Sequence, residues 1–372
     1  MKIAMVGQKT NVTRFGGIER HVGLLADRLA ERGHEVTVFT RSRYGEPVRP
    51  FRGVSLVRRP CVPSKHLEAI THSTLCSLES GLRGYDVVHF HGVGPSLAIP
   101  FAKLTGHAAV IATVHDQDYN KDKWSPFARR MLRAGEASAC RRSDRVITVA
   151  RYIRQHLQLA YGCTAEYIPN GNDPLHVQPP GPALAEHGLE AGNYLLFLAR
   201  LVPEKGCDVL IRAVRESSTP YRLAVVGGAS YSDEHAEQLR RLAGDDPRIA
   251  FLGFQSGDAL DELRTNAGAY VMPSRQEGLP LALLEMLWYG MPVIASDIPA
   301  VHEVDGAVPD DRLTRVPPGD VEALRRAIEA LPWPGAVAAH GELNWPTWAE
   351  VAEQVEGVYE RTLARRGRRR AA

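Results

Sequence analysis

The sequence has no apolar run approaching the roughly 18–20 residues needed to span a bilayer, so it predicts no transmembrane helix. It has no Cys-x-x-Cys pair. Its five cysteines, Cys61, Cys76, Cys140, Cys163 and Cys207, are scattered, which argues against a zinc or disulfide framework and predicts buried, reduced thiols in a cytosolic setting. Charge imbalance is slight, with a formal net charge of +2 and 24% charged residues. That balance does not suggest nucleic acid or a strongly acidic partner. The first strand is not followed by G-x-G-x-x-G, which disfavours a nicotinamide-dependent oxidoreductase. The N-terminus enters a strand directly, without the pattern of a signal peptide.

What is present is a chain of 372 residues, 44% hydrophobic, long enough for two or three domains with substantial cores. Lys2 to Gly7 reads as a strand, Gly16-Gly17 opens an amphipathic helix to about Arg32, and Glu35 to Phe39 reads as the next strand. Strand-like runs at Val54–Val57, Asp86–Phe90, Ala109–Val114, Arg145–Val149 and Ala165–Ile168 alternate with helical patterns at Leu67–Leu82, Leu97–Thr105, Trp124–Arg142 and Ala150–Tyr161. Two strands end in polar residues, His89-Phe90-His91-Gly92 and His115-Asp116-Gln117-Asp118, as ligand-binding edges of open α/β sheets do. Asp116-x-Asp118 matches a pattern that holds a divalent metal in one class of sugar transferases, but a cap or loop acid explains it better. Trp124–Arg142 carries five arginines beside Phe127 and Met131 and reads as a surface helix, with contact to an anionic membrane left open.

Pro169-Asn170-Gly171-Asn172-Asp173-Pro174 breaks this rhythm and marks a domain boundary. The pattern then restarts. Strands are expected at Tyr194–Ala199, Leu223–Val226, Ile249–Leu252, Ala269–Met272 and Met291–Ala295, with helices at Cys207–Glu216, Ser232–Ala243, Asp258–Asn266, Leu281–Trp288 and Asp320–Leu331. Asp297–Pro309 reads as loop, and Thr347 with Glu350 has capping-box spacing for a last helix. The tail Arg365–Arg370 reads most simply as a disordered basic end, and otherwise as an electrostatic contact to a membrane or acidic surface. The expected domains are 1–170, 171–345 and 346–372, the last a helix packing back on the first, with a basic tail.

The second half is organised around Ser274 to Glu285. An apolar strand runs through a Gly/Pro turn into a helix, with Glu277 in the turn and Glu285 on the helix. A helix N-terminus offers free amides and a positive dipole end. Two acids beside an anion site make sense if each accepts from hydroxyls of a ligand that also carries phosphate, as a nucleotide sugar does.

Four features stand together: Gly16-Gly17, Arg200 with Lys205, Glu277 with Glu285, and the Pro169–Gly171 break. This resembles the retaining glycosyltransferases of family four, of GT-B architecture. The resemblance covers nearly the whole chain and implies two Rossmann-like domains facing one another across a cleft. Arg200 and Lys205 would grip the donor diphosphate, assisted by the amides of Gly278, Leu279, Pro280 and Leu281 as far as each has one. Glu285 would bind ribose, Glu277 and His115 the donor sugar, and Gly16 and Gly17 would let the N-terminal domain approach the phosphates. Gly227 and Phe254 would lie by the donor, Phe254 near the base. The expected partners are a nucleoside diphosphate sugar and an acceptor hydroxyl, with no metal. An aromatic and an extra glycine common in the turn are missing here, as is an acid after Gly227-Gly228, which leaves base and sugar open. A sugar-nucleotide epimerase and a non-catalytic binding protein are the competing readings.

Overall fold

The computed structural model describes residues 1–10, 16–44, 53–64, 67–104, 107–121, 124–228, 233–332 and 343–371, without the side chains of residues 310 and 369–371. The family resemblance implies an acceptor site built mainly from the loops Gln8–Phe15, Arg41–Lys65 and Asp116–Trp124; of these, residues 11–15, 45–52, 65, 122 and 123 lie outside this set, as do Thr105, Ala229 and Ser232. The chain divides into two compact units, Met1–Gly171 with Pro346–Ala372, and Asn172–Trp345.

In the first unit, β1 (Lys2–Val6), α1 (Gly17–Glu31), β2 (Glu35–Arg41), β3 (Val54–Arg59), α2 (Glu68–Leu82), β4 (Val87–His91), α3 (Ile99–Lys103), β5 (Ala109–Val114), α4 (Pro126–Arg142), β6 (Arg145–Thr148), α5 (Arg151–Tyr161) and β7 (Glu166–Tyr167) follow in order. Their seven strands run β3-β2-β1-β4-β5-β6-β7, all parallel. The strand order reverses between β1 and β4. Strands β4 and β5 are buried throughout, as expected of strands covered on both faces.

The second unit contains α6 (Pro182–Glu186), β8 (Tyr194–Leu198), α7 (Cys207–Glu216), β9 (Arg222–Val226), α8 (Glu234–Ala243), β10 (Ile249–Gly253), α9 (Gly257–Thr265), β11 (Ala269–Met272), α10 (Leu281–Trp288), β12 (Val293–Ser296), β13 (Leu313–Val316) and α11 (Val321–Glu329). Its parallel sheet runs β10-β9-β8-β11-β12-β13, with the order reversing between β8 and β11. Leu195, Phe197, Val225, Val271 and Ile294 pack with Leu210, Val214 and Leu324 in its core.

The last helix, α12 (Trp348–Ala371), packs on α1 and β5 of the first unit. Trp348, Val351, Ala352, Val355, Val358 and Tyr359 are buried at helical spacing. Thr347 and Glu350 form the capping box: the Thr347 amide donates to Glu350 at 2.7 Å and the Glu350 amide to the Thr347 hydroxyl at 3.3 Å.

The structure corrects several expectations. The basic tail is helical to Ala371 rather than disordered, and Arg361 and Arg366 are tied to Glu166 and Asp144 at 2.5 and 2.9 Å. Only Cys76 and Cys207 are fully buried, while Cys61, Cys140 and Cys163 are partly exposed; all five are free thiols. Asp297–Pro309 contains a 3-10 turn at His302–Val304. Leu97–Thr105 begins as a 3-10 turn, Pro95–Ala98, before α3.

Candidate active site

In open α/β sheets, ligands bind beyond the carboxyl ends of strands where the order reverses. In the second unit that place lies between β8 and β11, where Arg200, Lys205 and Glu277 are found. Beyond β8 the chain carries Arg200 and makes a 3-10 turn, Pro203–Lys205, before α7. Gly206 ends that turn at φ +68°, and a Cβ there would lie 2.0 Å from the Pro273 carbonyl oxygen. Gly227 (φ +148°) makes a similar approach: its Cβ would lie 1.8 Å from the Ala199 carbonyl oxygen. The two glycines therefore let the loops after β8, β9 and β11 close on one another.

The loop after β11 is fastened to the loop after β8 and to the start of α7. The Arg275 amide donates to the Glu204 carbonyl at 2.9 Å. The Arg275 guanidinium reaches Asp208 at 3.0 Å. The Lys205 ammonium donates to Glu277 Oε1 at 2.5 Å, and the Ser274 hydroxyl donates to the same oxygen at 2.7 Å. The structure thus joins the lysine and acid that the sequence placed 72 residues apart. Arg200 is partly buried on the same loop as Lys205.

Pro280 caps α10, whose amides at Leu283 and Leu284 donate back to the Pro280 carbonyl. Amides earlier in the first turn have no acceptor within the helix. Gly278, Leu279 and Pro280 are buried in this turn. Glu285 lies further into the unit. It is 3% exposed and ion-paired with buried Arg264 at 3.0 Å, a partner that sequence reading missed. Phe254 is 48% exposed after β10.

The remaining site residues belong to the first unit. Gly16 is the N-cap of α1 and Gly17 its first residue. His115 follows β5 directly and is buried, with its Nε2 3.3 Å from His91 Nδ1. His21, from α1, packs edge-on to His115 with ring centroids 4.5 Å apart, and its Nδ1 donates to Asn170 Oδ1 at 2.8 Å. Burial lowers the pKa of His21 to about 4 and holds His91 and His115 well below the usual histidine range, so all three are neutral at pH 7. The sequence signal for His21 was a polar residue on the apolar face of α1, beside Val22 and Leu25. For His91 it was the strand end at β4.

Asp116 and Asp118 act as loop acids: both bind the Lys121 ammonium, at 2.8 and 2.5 Å. Burial opposes the charge on Lys121, but Asp118 and Asp116 outweigh it and raise its pKa. The two carboxylates already hold a cation, the role the metal reading gave them.

Two doubly wound parallel units, one with fixed cations and a helix N-terminus at its switch point, define the GT-B glycosyltransferase class. Residues 15–174 match the Glycosyltransferase Family 4 model and residues 192–332 the model for Glycosyl transferases group 1. The chain is 30% identical to the D-inositol 3-phosphate glycosyltransferase of Acidothermus cellulolyticus, over 98% of this chain and 91% of that one. It is also 30% identical to the GDP-mannose-dependent alpha-(1-6)-phosphatidylinositol monomannoside mannosyltransferase of Mycobacterium tuberculosis, over 80% of this chain and 83% of that one. Sucrose-phosphate synthase from Thermosynechococcus elongatus has the same fold, with a TM-score of 0.80 at 22% identity, covering 98% of this chain and 99% of that one. The chain belongs to glycosyltransferase family four.

Proposed function

We propose that the chain transfers a hexosyl group from a nucleoside diphosphate sugar to an acceptor hydroxyl, with retention at the anomeric carbon and without a metal ion. The observation that carries this reading is the Lys205–Glu277 contact at the β8/β11 switch point, on the loop of Arg200 and beside the first turn of α10. Arg200 and Lys205 supply fixed positive charge where the leaving diphosphate gains negative charge. Amides at the start of α10 add to it. Glu277 accepts from hydroxyls of the donor sugar, His115 contacts that sugar, and Glu285 binds the ribose. Gly16 and Gly17, at the start of α1, would let backbone approach a donor phosphate closely. Gly227 and Phe254 lie by the donor.

Retention by double displacement needs a carboxylate nucleophile. Glu277 is the candidate, but an ammonium and a hydroxyl already bind one of its oxygens, which lowers its nucleophilicity. Front-face substitution fits better. The anomeric C–O bond to phosphate breaks, the acceptor oxygen bonds to the same face, and the acceptor proton passes to the departing phosphate oxygen.

Among the acceptor classes, glycan, glycolipid or small natural product, we favour a hydroxyl presented at an anionic lipid surface. Among the described residues no helix is long and apolar enough to cross a membrane. Leu78 and Leu82 on α2, Leu104 after α3, and Phe127 on α4 nevertheless expose 41, 83, 73 and 71% of their surface. Arg129, Arg130 and Arg133 share α4 with Phe127, a combination that suits peripheral contact.

The test is a donor screen by thermal shift, led by GDP-mannose because the mycobacterial relative is GDP-mannose-dependent, followed by mass spectrometry of products in excess EDTA. Transfer to an added acceptor, undiminished by EDTA, is expected. Activity abolished by EDTA and restored by Mn²⁺ would overturn metal independence. Product formed from donor alone would instead indicate an epimerase.

A further inference from the structure

The first unit brings four histidines together where its strand order reverses, and they are not equivalent. Both ring nitrogens of His89 are engaged: Nδ1 lies 2.7 Å from the Tyr359 hydroxyl and Nε2 2.7 Å from the Thr113 hydroxyl. His21 gives its Nδ1 proton to Asn170 Oδ1. A neutral ring then leaves a bare lone pair on Nε2. That atom and His91 Nε2 are both buried, and neither has a hydrogen-bond partner among the described residues. Such orphaned atoms are uncommon and call for an explanation. One ring nitrogen from each of His21, His91 and His115 lies within 4.8 Å of the other two. The residues come from α1 and from the ends of β4 and β5, beside the β1/β4 reversal where an open sheet receives ligands.

We propose that His21, His91 and His115 form a binding site for a borderline transition-metal ion such as Zn²⁺ or Co²⁺, with three imidazole ligands and a fourth position for water or a ligand oxygen. Imidazole suits these metals, and three protein ligands leave such a coordination shell open. No carboxylate belongs to the set, so Mg²⁺ and Ca²⁺, which require oxygen ligands, are disfavoured. Asn170 is the outer partner that fixes the tautomer and orientation of His21. Metal binding itself does not depend on the proposed reaction. One consequence does rest on that reading: a bound ion removes His115 from the donor sugar, so Zn²⁺ inhibits a transferase that needs no metal.

The experiment is a Co²⁺ titration of the chelator-treated full chain, followed by visible absorption and without donor. A tetrahedral-type band saturating at about one ion per chain is expected. It should be lost in His21→Gln and His91→Gln and survive in His302→Gln, which removes a solvent-exposed histidine flanked by Asp297 and Asp305. Asn170→Ala should keep the band with affinity lowered about tenfold. Circular dichroism and melting identify any variant that has not folded, and Asn170→Ala with His302→Gln keeps the test decisive if a ligand variant fails. No band, or a band lost only in His302→Gln, overturns the site. Zn²⁺ inhibition is read separately as the ratio of rates with and without metal. If the chain binds Co²⁺ at these residues but transfers no sugar, the metal site stands and the proposed function falls.

Discussion

Glu277 and Lys205 make a contact of 2.5 Å that restricts both side chains. A cation held in place by an acid, which itself accepts from a serine hydroxyl, loses little freedom on binding. Such preorganisation is where charge stabilisation has its largest effect on rate. Lys205→Ala and Arg200→Ala are each expected to lower kcat by about 10²–10³, the range for removing one preorganised donor from a site of developing charge. Steady-state kinetics with saturating donor, alongside melting curves, checks this. Near-normal kcat in both variants would remove these residues from the leaving-group role. Glu285 belongs to a different environment. Its pairing with Arg264 inside the unit means that substituting it changes packing as well as any ribose contact, so loss of activity in Glu285→Gln is informative only beside a stability measurement.

The loops after β8 and β11 are built to touch. Gly206 takes φ +68° with its Cβ direction blocked by the Pro273 carbonyl 2.0 Å away, whereas Gly162 takes φ +63° at the end of α5 with nothing within 4 Å. Alanine at either position incurs left-handed strain of about 1–2 kcal/mol, but only at position 206 must the backbone also shift. Gly206→Ala is expected to separate Lys205 from Glu277 and reduce kcat at least about tenfold, while Gly162→Ala lowers the melting temperature alone. Equal donor kinetics in the two variants would show that the close approach is not needed for activity.

The order strand, loop, helix was legible at this scale. Strands covered on both faces read as unbroken apolar runs, and the loops between them carry Gly, Pro and charge. β13 was not legible, because it has only four residues with Thr314 and Arg315 exposed. Nor was α6, whose start lies in a proline-rich stretch. Motif spacing marked Lys205 and Glu277, but it did not give the partners Ser274, Arg264 or Asn170. Asn170 meets His21 across 149 residues, and contacts of that kind follow from topology, which local periodicity does not encode.

At the scale of the whole molecule, the two units differ in how they bury histidine. His21, His72, His89, His91 and His115 are buried in the first unit, while no described histidine of the second is buried. Burial is the largest cause lowering His21 and His72 to about 4 and His89 to about 3, and it holds His91 and His115 well below the usual range. A histidine whose folded pKa lies below its unfolded value of about 6.5 binds fewer protons when folded, so stability rises with pH across that interval. The contribution is fully present above about pH 6.5 and is lost as pH falls towards 4 or 3; for His21 alone it amounts to roughly 3 kcal/mol. Asp27 works the other way. Burial raises its pKa to about 7, so its neutral form stabilises the fold below that pH and the gain fades as pH rises from about 4 to 7. One half-buried acid opposes five buried histidines, and the sum favours neutral pH. With chelator present so that no metal biases the imidazoles, lowering the pH from 7 to 5 is expected to unfold the first unit before the second. Peptide-resolved hydrogen exchange, corrected for intrinsic rates, should show protection lost in α1, β4 and β5 while β8 and β11 keep theirs. Equal loss in both units, or a first unit more protected at pH 5, would show that the buried histidines do not set its acid stability.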